Sequence, residues 1–420
     1  MTTPPFGFRP SGDGEPEETP GDPFAAAGAT PDLGAMLRQL GDLMSGETGP
    51  VNWQVARQSA MAVIGADAGT TAAEASEVAD AIRLADHWLD AVTTLPSGVS
   101  TTEAWSRRRW LEATRPAWTD LVEPVAARVG AAMGQALPEE MRAMAAPLMG
   151  VMNQVGGLVF GGQVGQALGT LATEVVCSTD VGLPLGPPGV GALVPESVRA
   201  FGAGLALPPE EVRLFVALRE AAHHRLFGHV PWLRTHLVTA VRAYAEGITI
   251  DTSKLQDLAQ GLDPSDPEAL QRAMAGGMFE PEATPAQDAA LRRLETALAL
   301  VEGWVDTVTA AAAESLPSFG ALQETMRRRR ATGGPAEVTF ASLVGLELRP
   351  RRLRDAALLW QTMGERRGIA ERDAVWAHPD LLPVGEDLDD PRGWVERGTT
   401  DDPLDLSELN DSPPEDPSGS

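Results

Sequence analysis

From Ala143 to Thr173 the chain carries no Asp, Glu, Lys or Arg. A charge-free stretch of that length has two homes, a bilayer or the interior of a helical protein. Asn153, Gln154, Gln163 and Gln166, with the glycines at 156, 157, 161, 162, 165 and 169, dilute its hydrophobicity. Small-xxx-small spacing lets helices approach closely in any medium, so we read a buried, tightly packed helix and no membrane span. The glycines do not form a phosphate loop either. "GGLVFGGQVGQ" lacks the closing Lys-Ser/Thr and follows no strand.

Around this stretch, 43% of the 420 residues are apolar, enough for one large packed unit. Cys177 is the one cysteine, which rules out an intrachain disulfide and Cys-type structural zinc sites and fits a reducing interior. A formal net charge of −26 argues against a nucleic-acid partner, which needs a net basic face. The charge is uneven: acids crowd both termini, while arginines cluster at 327–330 and 349–354. The opening "MTTPPFGFRPSGDGEPEETPGD" has no basic region followed by an apolar run, so no signal peptide and a cytoplasmic location are expected.

Residues 1–30 and 385–420 are acidic and rich in Pro and Gly, and are expected to be disordered. Between them we expect a single, mainly α-helical domain over 31–384, with N-terminal helices over 31–95 and a core over 96–384. Helices are predicted from Pro31 to Ser45, across "NWQVARQSAMAVIGA", and from a Thr cap with Glu three residues on in "TTAAEASEVADAIRLADHWLDAVTTL". The segment from Thr101 to Leu137 reads as two helices broken near Pro116. Pro208-Pro209-Glu210-Glu211 opens a helix over 209–227 that Gly228 ends. Further helices are expected over 237–245, 254–261, 266–275, 285–313, 320–332 and 350–368. The least helical stretch, 173–194, is predicted to give two short strands, Thr173 to Ser178 and Ala192 to Val194, in a small sheet beside the 209–227 helix.

That helix and its continuation, "FVALREAAHHRLFGHVPWLRTHL", hold four of the chain's six histidines. Glu220 and His223 stand as the second half of the H-E-x-x-H zinc signature, in which two histidines four apart bind one ion and the glutamate polarises its water. Arg219 occupies the place of the first histidine, and an arginine has no lone pair to give. His224 is turned about 100° from His223, so the two do not readily face one ion. A site reassembled from His223, His229 or His236 with a carboxylate is one reading. The other is a structural His223 hydrogen-bonded to a carboxylate between helices, with His224, His229 and His236 at the surface or in loops.

"ALREAAHHRLFGHVPWLR" resembles the motif segment of an actinobacterial family of zincin-like hydrolases, often labelled zinc-dependent metallopeptidases. "LALVEGWVDTVTAAAA", "TFASLVGLELRPRRLRDAALLWQTM" and "RDAVWAHPDLLP" resemble it too, so the likeness runs from about Pro31 to Pro383. Members with the full motif read H-E-x-x-H followed later by E-G-H. By position, the resemblance makes Glu220 the catalytic glutamate and His223 a zinc ligand, and it puts Arg219 and Trp304 where the other two ligands would stand. It implies a zincin-like helical fold with a degenerate H-E-x-x-H motif.

From the resemblance we expect a non-catalytic protein that binds no cofactor and uses the old cleft for a peptide or protein partner. The alternative is an active zinc-dependent hydrolase with a rearranged site; a third reading has the acidic tail recruiting basic partners. Arg219, Glu220 and Glu302 are expected to meet where the metal would be, the guanidinium supplying the ion's positive charge. Trp304 is expected to fill the third ligand's space against His223.

Overall fold

Asn52 accepts a hydrogen bond from Val55 N and so starts the first helix, α1 (Trp53–Ile64). The computed structural model describes residues 49–135, 139–246, 284–331 and 352–397, all within the unit Glu47–Ser420. The helices expected over 31–45, 254–261 and 266–275 lie outside the described residues, as do 1–30. Helix α2 (Ala72–Leu89) opens with the anticipated capping box of Thr71 and Glu74. Strand β1 (Thr101–Ala104) follows, then α3 (Arg107–Gln135), α4 (Glu139–Glu174), β2 (Val190–Leu193) and α5 (Pro195–Gly202). Next come α6 (Pro209–His229), α7 (Pro231–Glu246), α8 (Pro285–Ala312), α9 (Phe319–Ala331), α10 (Leu353–Arg367), α11 (Ile369–Ala374) and α12 (Pro391–Arg397).

The charge-free run forms most of α4, and no described helix is long and apolar enough to cross a membrane. Its glycines at 157, 161, 165 and 169 form one stripe, four residues apart, pressed onto α1 and the residues 49–52 that lead into it. A Cβ on Gly161 would stand 2.5 Å from the carbonyl oxygen of Asn52, and one on Gly165 2.2 Å from that of Ala56. Only glycine admits that approach. Asn52 N donates to the Gly157 carbonyl at 3.0 Å, tying the two helices backbone to backbone.

The sheet is small, as expected, but its pairing differs. β2 pairs in parallel with β1, Thr101 opposite Val190 through Ala104 opposite Leu193. The segment from Thr173 contributes only a bridge between Cys177 and Leu193, because α4 runs on to Glu174. The break near Pro116 is absent: Pro116 and Pro124 both lie inside α3. A proline inside a helix costs about 3 kcal/mol, which the burial of Trp110, Leu111, Trp118, Leu121 and Val122 along that helix offsets. Helix α6 also passes Gly228, where the Gly98 Cα would lie 3.3 Å from an added Cβ.

Residues 385–397 correct the disordered tail. Leu388 and Val395 are buried and Trp394 packs against the core. Arg352 bonds the Gly385 carbonyl and Arg367 the Val395 carbonyl, so this stretch closes onto α10. Three apolar anchors outweigh the acidic composition; residues 398–420 lie outside the described residues.

α6 runs through the middle, packed on α2, α5, α8 and β2. Every residue from Leu214 to Leu226 is buried, so this stretch of the helix has no solvent face. Arg219, Glu220, His223, His224 and Arg225 therefore all need partners inside the protein.

Candidate functional site

Helical geometry sorts these five side chains into three directions, because residues four apart share a face and adjacent ones diverge by about 100°. Arg225 turns toward the end of α2, where it donates to Asp86, to Asp90 at 2.6 Å, and to the Leu95 carbonyl at 2.8 Å. It is a structural clamp.

Glu220 and His224 turn toward the sheet. Glu220 accepts from Ser178 Oγ at 2.5 Å, Thr179 Oγ1 at 2.6 Å, Ala192 N at 2.8 Å and Thr179 N at 3.2 Å. His224 Nε2 stands 3.2 Å from the same carboxylate and 3.4 Å from Ser178 Oγ. His224 is thus buried, not at the surface, because its helix is surrounded. Ser178, His224 and Glu220 do not make a nucleophilic triad, since serine and carboxylate share one ring nitrogen instead of taking opposite ones.

Burial alone would raise the Glu220 carboxyl, but His224, Ser178 and Thr179 hold it at about 2. Its ionised form contributes stability that is complete above the ordinary value of 4.5 and is lost as pH falls through 2. This carboxylate should therefore supply about 3 kcal/mol of unfolding free energy that disappears between those limits. Glu220→Gln should flatten the acid limb of a pH–stability curve; an unchanged limb would contradict the assignment.

Arg219 and His223 turn the third way, toward α8. Arg219 Nη2 donates to Glu302 Oε2 at 2.6 Å, and His223 Nε2 lies 3.0 Å from Glu302 Oε1. Arg330, from α9, bonds Glu302 Oε2 as well. Arg219 also reaches Asp306, one turn on from Glu302, at 3.6 Å, and Asp306 accepts from Arg327 at 2.7 Å. Arg329 grips Asp180 through both oxygens, at 3.1 and 2.7 Å. His223 Nδ1 lies 2.9 Å from the Arg219 carbonyl oxygen, which can only accept, so that nitrogen carries the proton. Burial would raise the Glu302 carboxyl, yet Arg330, His223 and Arg219 keep it well below the ordinary carboxylate range. Arg219 is pushed down by burial and by Arg330, against the pull of Glu302 and Asp306.

The centre is closed. Arg219 is 4% exposed, His223 1% and Glu302 7%. The loop after α4 lies over it: Gly182 has φ +75°, and a Cβ there would stand 2.8 Å from Glu302 Oε1. Among the described residues no group of three His, Cys, Asp or Glu could hold a metal ion.

The expected meeting of Arg219 with Glu302 is present. Glu220 is not part of it, since one residue along the helix sends its carboxylate to Ser178 and Thr179. Trp304 is not part of it either: Nε1 donates to Asp373 at 3.0 Å and the ring lies 6.0 Å from the Arg372 guanidinium. Two residues along α8 from Glu302, it faces nearly the opposite way. His229 is exposed, with Nε2 3.1 Å from the Ser97 carbonyl, and His236 sits edge-on against Trp232. Asp180, Asp306 and Arg330 complete the centre and were missed. The arginine cluster at 327–330 and the carboxylate one turn after Glu302 were the available signals.

The chain matches the family described as zincin-like metallopeptidase over residues 51–395. It belongs to that family. A crystal structure from Chloroflexus aurantiacus, of a "putative hydrolase with a novel fold", is similar at a TM-score of 0.59 and 23% identity, covering 83% of this chain and 98% of the other. At that identity the likeness speaks for the fold. No curated protein matches the chain. In this member of the zincin-like family, Arg219, Glu220 and His223 all lie on the buried stretch of α6.

Proposed function

We propose that this zincin-like protein is non-catalytic, its H-E-x-x-H motif degenerate and its metal replaced by the guanidinium groups of Arg219 and Arg330. The observation that carries this reading is Glu302, whose Oε2 takes both arginines while Oε1 faces His223. Two guanidinium groups converge on Glu302 Oε2, the charge a zinc ion would bring, with Asp306 3.6 Å from Arg219 beside them. The residues present do not fit zinc. Arginine at 219 has no lone pair, Trp304 faces Asp373, and His223 is the one histidine of the motif directed at the centre. Nor is Glu220 placed to activate water, because Ser178, Thr179, Ala192 and His224 surround its carboxylate.

Binding, in place of hydrolysis, is the activity this scaffold retains on our reading. The expected peptide or protein partner cannot enter the old cleft as anticipated, because Gly182 and the arginines close it, so it meets the protein at the surface.

Calorimetric zinc titration tests the replacement. The natural chain should show no stoichiometric site. Arg219→His with Arg330→Ala removes both guanidinium groups and puts an imidazole four residues before His223, on the same face and beside Glu302. That double variant should bind zinc at one site per chain, and Trp304→His should add nothing to it. Stoichiometric zinc binding by the natural chain would overturn the proposal.

A further inference from the structure

Arg57 and Met61 of α1, with Arg108, Arg109 and Glu112 of α3, line an open cavity of about 540 Å3. That is the size of a small-molecule site. Its walls bring three guanidinium groups together with Glu112, on a chain whose net charge is −26. Glu103 and Asp67 lie behind Arg109 and Arg108, outside the lining. Glu112 is already engaged by Arg57 and lies 4.0 Å from Arg115.

Each guanidinium is held at one edge. Arg57 bonds Glu112 through Nε, and Arg108 bonds the Gly65 carbonyl through Nη2. Arg109 donates to Glu103 at 3.2 Å, with its Cζ 5.8 Å from the centroid of the Trp105 ring. A guanidinium has five N–H donors, and each of these spends one on such a contact among the described residues. The amide of Arg108 at the start of α3 is taken by Asp67 at 2.8 Å, so the helix terminus is not the feature that would hold a ligand.

We propose that this cavity binds a small molecule carrying a doubly charged oxyanion group, a phosphate ester or a dicarboxylate, between Arg57, Arg108 and Arg109. Planar guanidinium forks take an oxyanion by paired hydrogen bonds, and Arg57 and Arg109, with side chains 55% and 50% exposed, keep donors open to solvent. Met61 gives an apolar wall for the rest of the ligand. None of these residues belongs to the Glu302 centre, so the proposal stands or falls separately from the loss of zinc.

The test is calorimetric titration of the full chain with pyrophosphate and, separately, with citrate, at constant ionic strength. One saturable site is expected for at least one of them; the tighter anion tells phosphate from carboxylate recognition. Affinity should fall about tenfold or more in Arg57→Ala and in Arg109→Ala, the effect of losing a charge-assisted hydrogen bond. Arg57→Lys and Arg109→Lys, which keep the charge and lose the fork, should also bind more weakly, and circular dichroism checks the fold of every variant. No saturable binding of either anion would overturn the proposal. So would binding that folded Arg57 and Arg109 variants leave unchanged.

Discussion

Arg219→Ala should lower the unfolding free energy by about 3 kcal/mol or more, because it strands buried carboxylates. Glu302 keeps Arg330 and His223, and Asp306 keeps Arg327, which places the loss at the low end for a broken buried pair. Urea denaturation gives the number. A double-mutant cycle with Glu302→Gln isolates the pair: once the carboxylate is neutral, removing the guanidinium should cost far less. A loss below about 1 kcal/mol, the range of exposed ion pairs, would contradict a closed centre.

Gly165→Val should cost about 3 kcal/mol by overpacking. The added Cβ would stand 2.2 Å from the Ala56 carbonyl oxygen and 2.6 Å from Ser59 Cβ, so α1 has to move off α4. Backbone yields less readily than a side chain. Gly162→Ala is the internal control: nothing lies within 4 Å of its added Cβ. There the gain in helix propensity should stabilise by about 0.5–1 kcal/mol. Equal effects at the two positions would show that the helices do not touch along this stripe. Thermal unfolding resolves the difference in sign.

Much of the helical frame was legible because local chemistry and tertiary structure agree. Thr71 with Glu74, Pro209 with Glu210 and Glu211, and the glycine spacing of α4 each specify what forms. The sheet was not legible. "TTEA" is short and polar, and its partner lies across two long helices, so nothing local announces the pairing of Thr101 with Val190. Pro116 misled because its local cost is readable and the buried tryptophans that offset it are not.

Arg219 with Glu302 could be anticipated from the motif and its likeness to the family. The fate of Glu220 could not. A helix buried all round has no amphipathic stripe to show which way each side chain goes, and the partners Ser178 and Thr179 come from a loop 42 and 41 residues earlier. The burial of His224 is hidden from the sequence for the same reason. Residues 385–397 show the weakness of composition: Leu388, Trp394 and Val395 anchor a stretch whose acids suggest a solvated tail.

Metal content of the purified, full-length chain tests the central claim most directly. If Arg219 and Arg330 supply the charge at Glu302, elemental analysis after purification without chelator should find zinc far below one atom per chain, and adding zinc should leave the unfolding temperature unchanged. Zinc at one atom per chain, lost with a chelator together with thermal stability, would contradict the account.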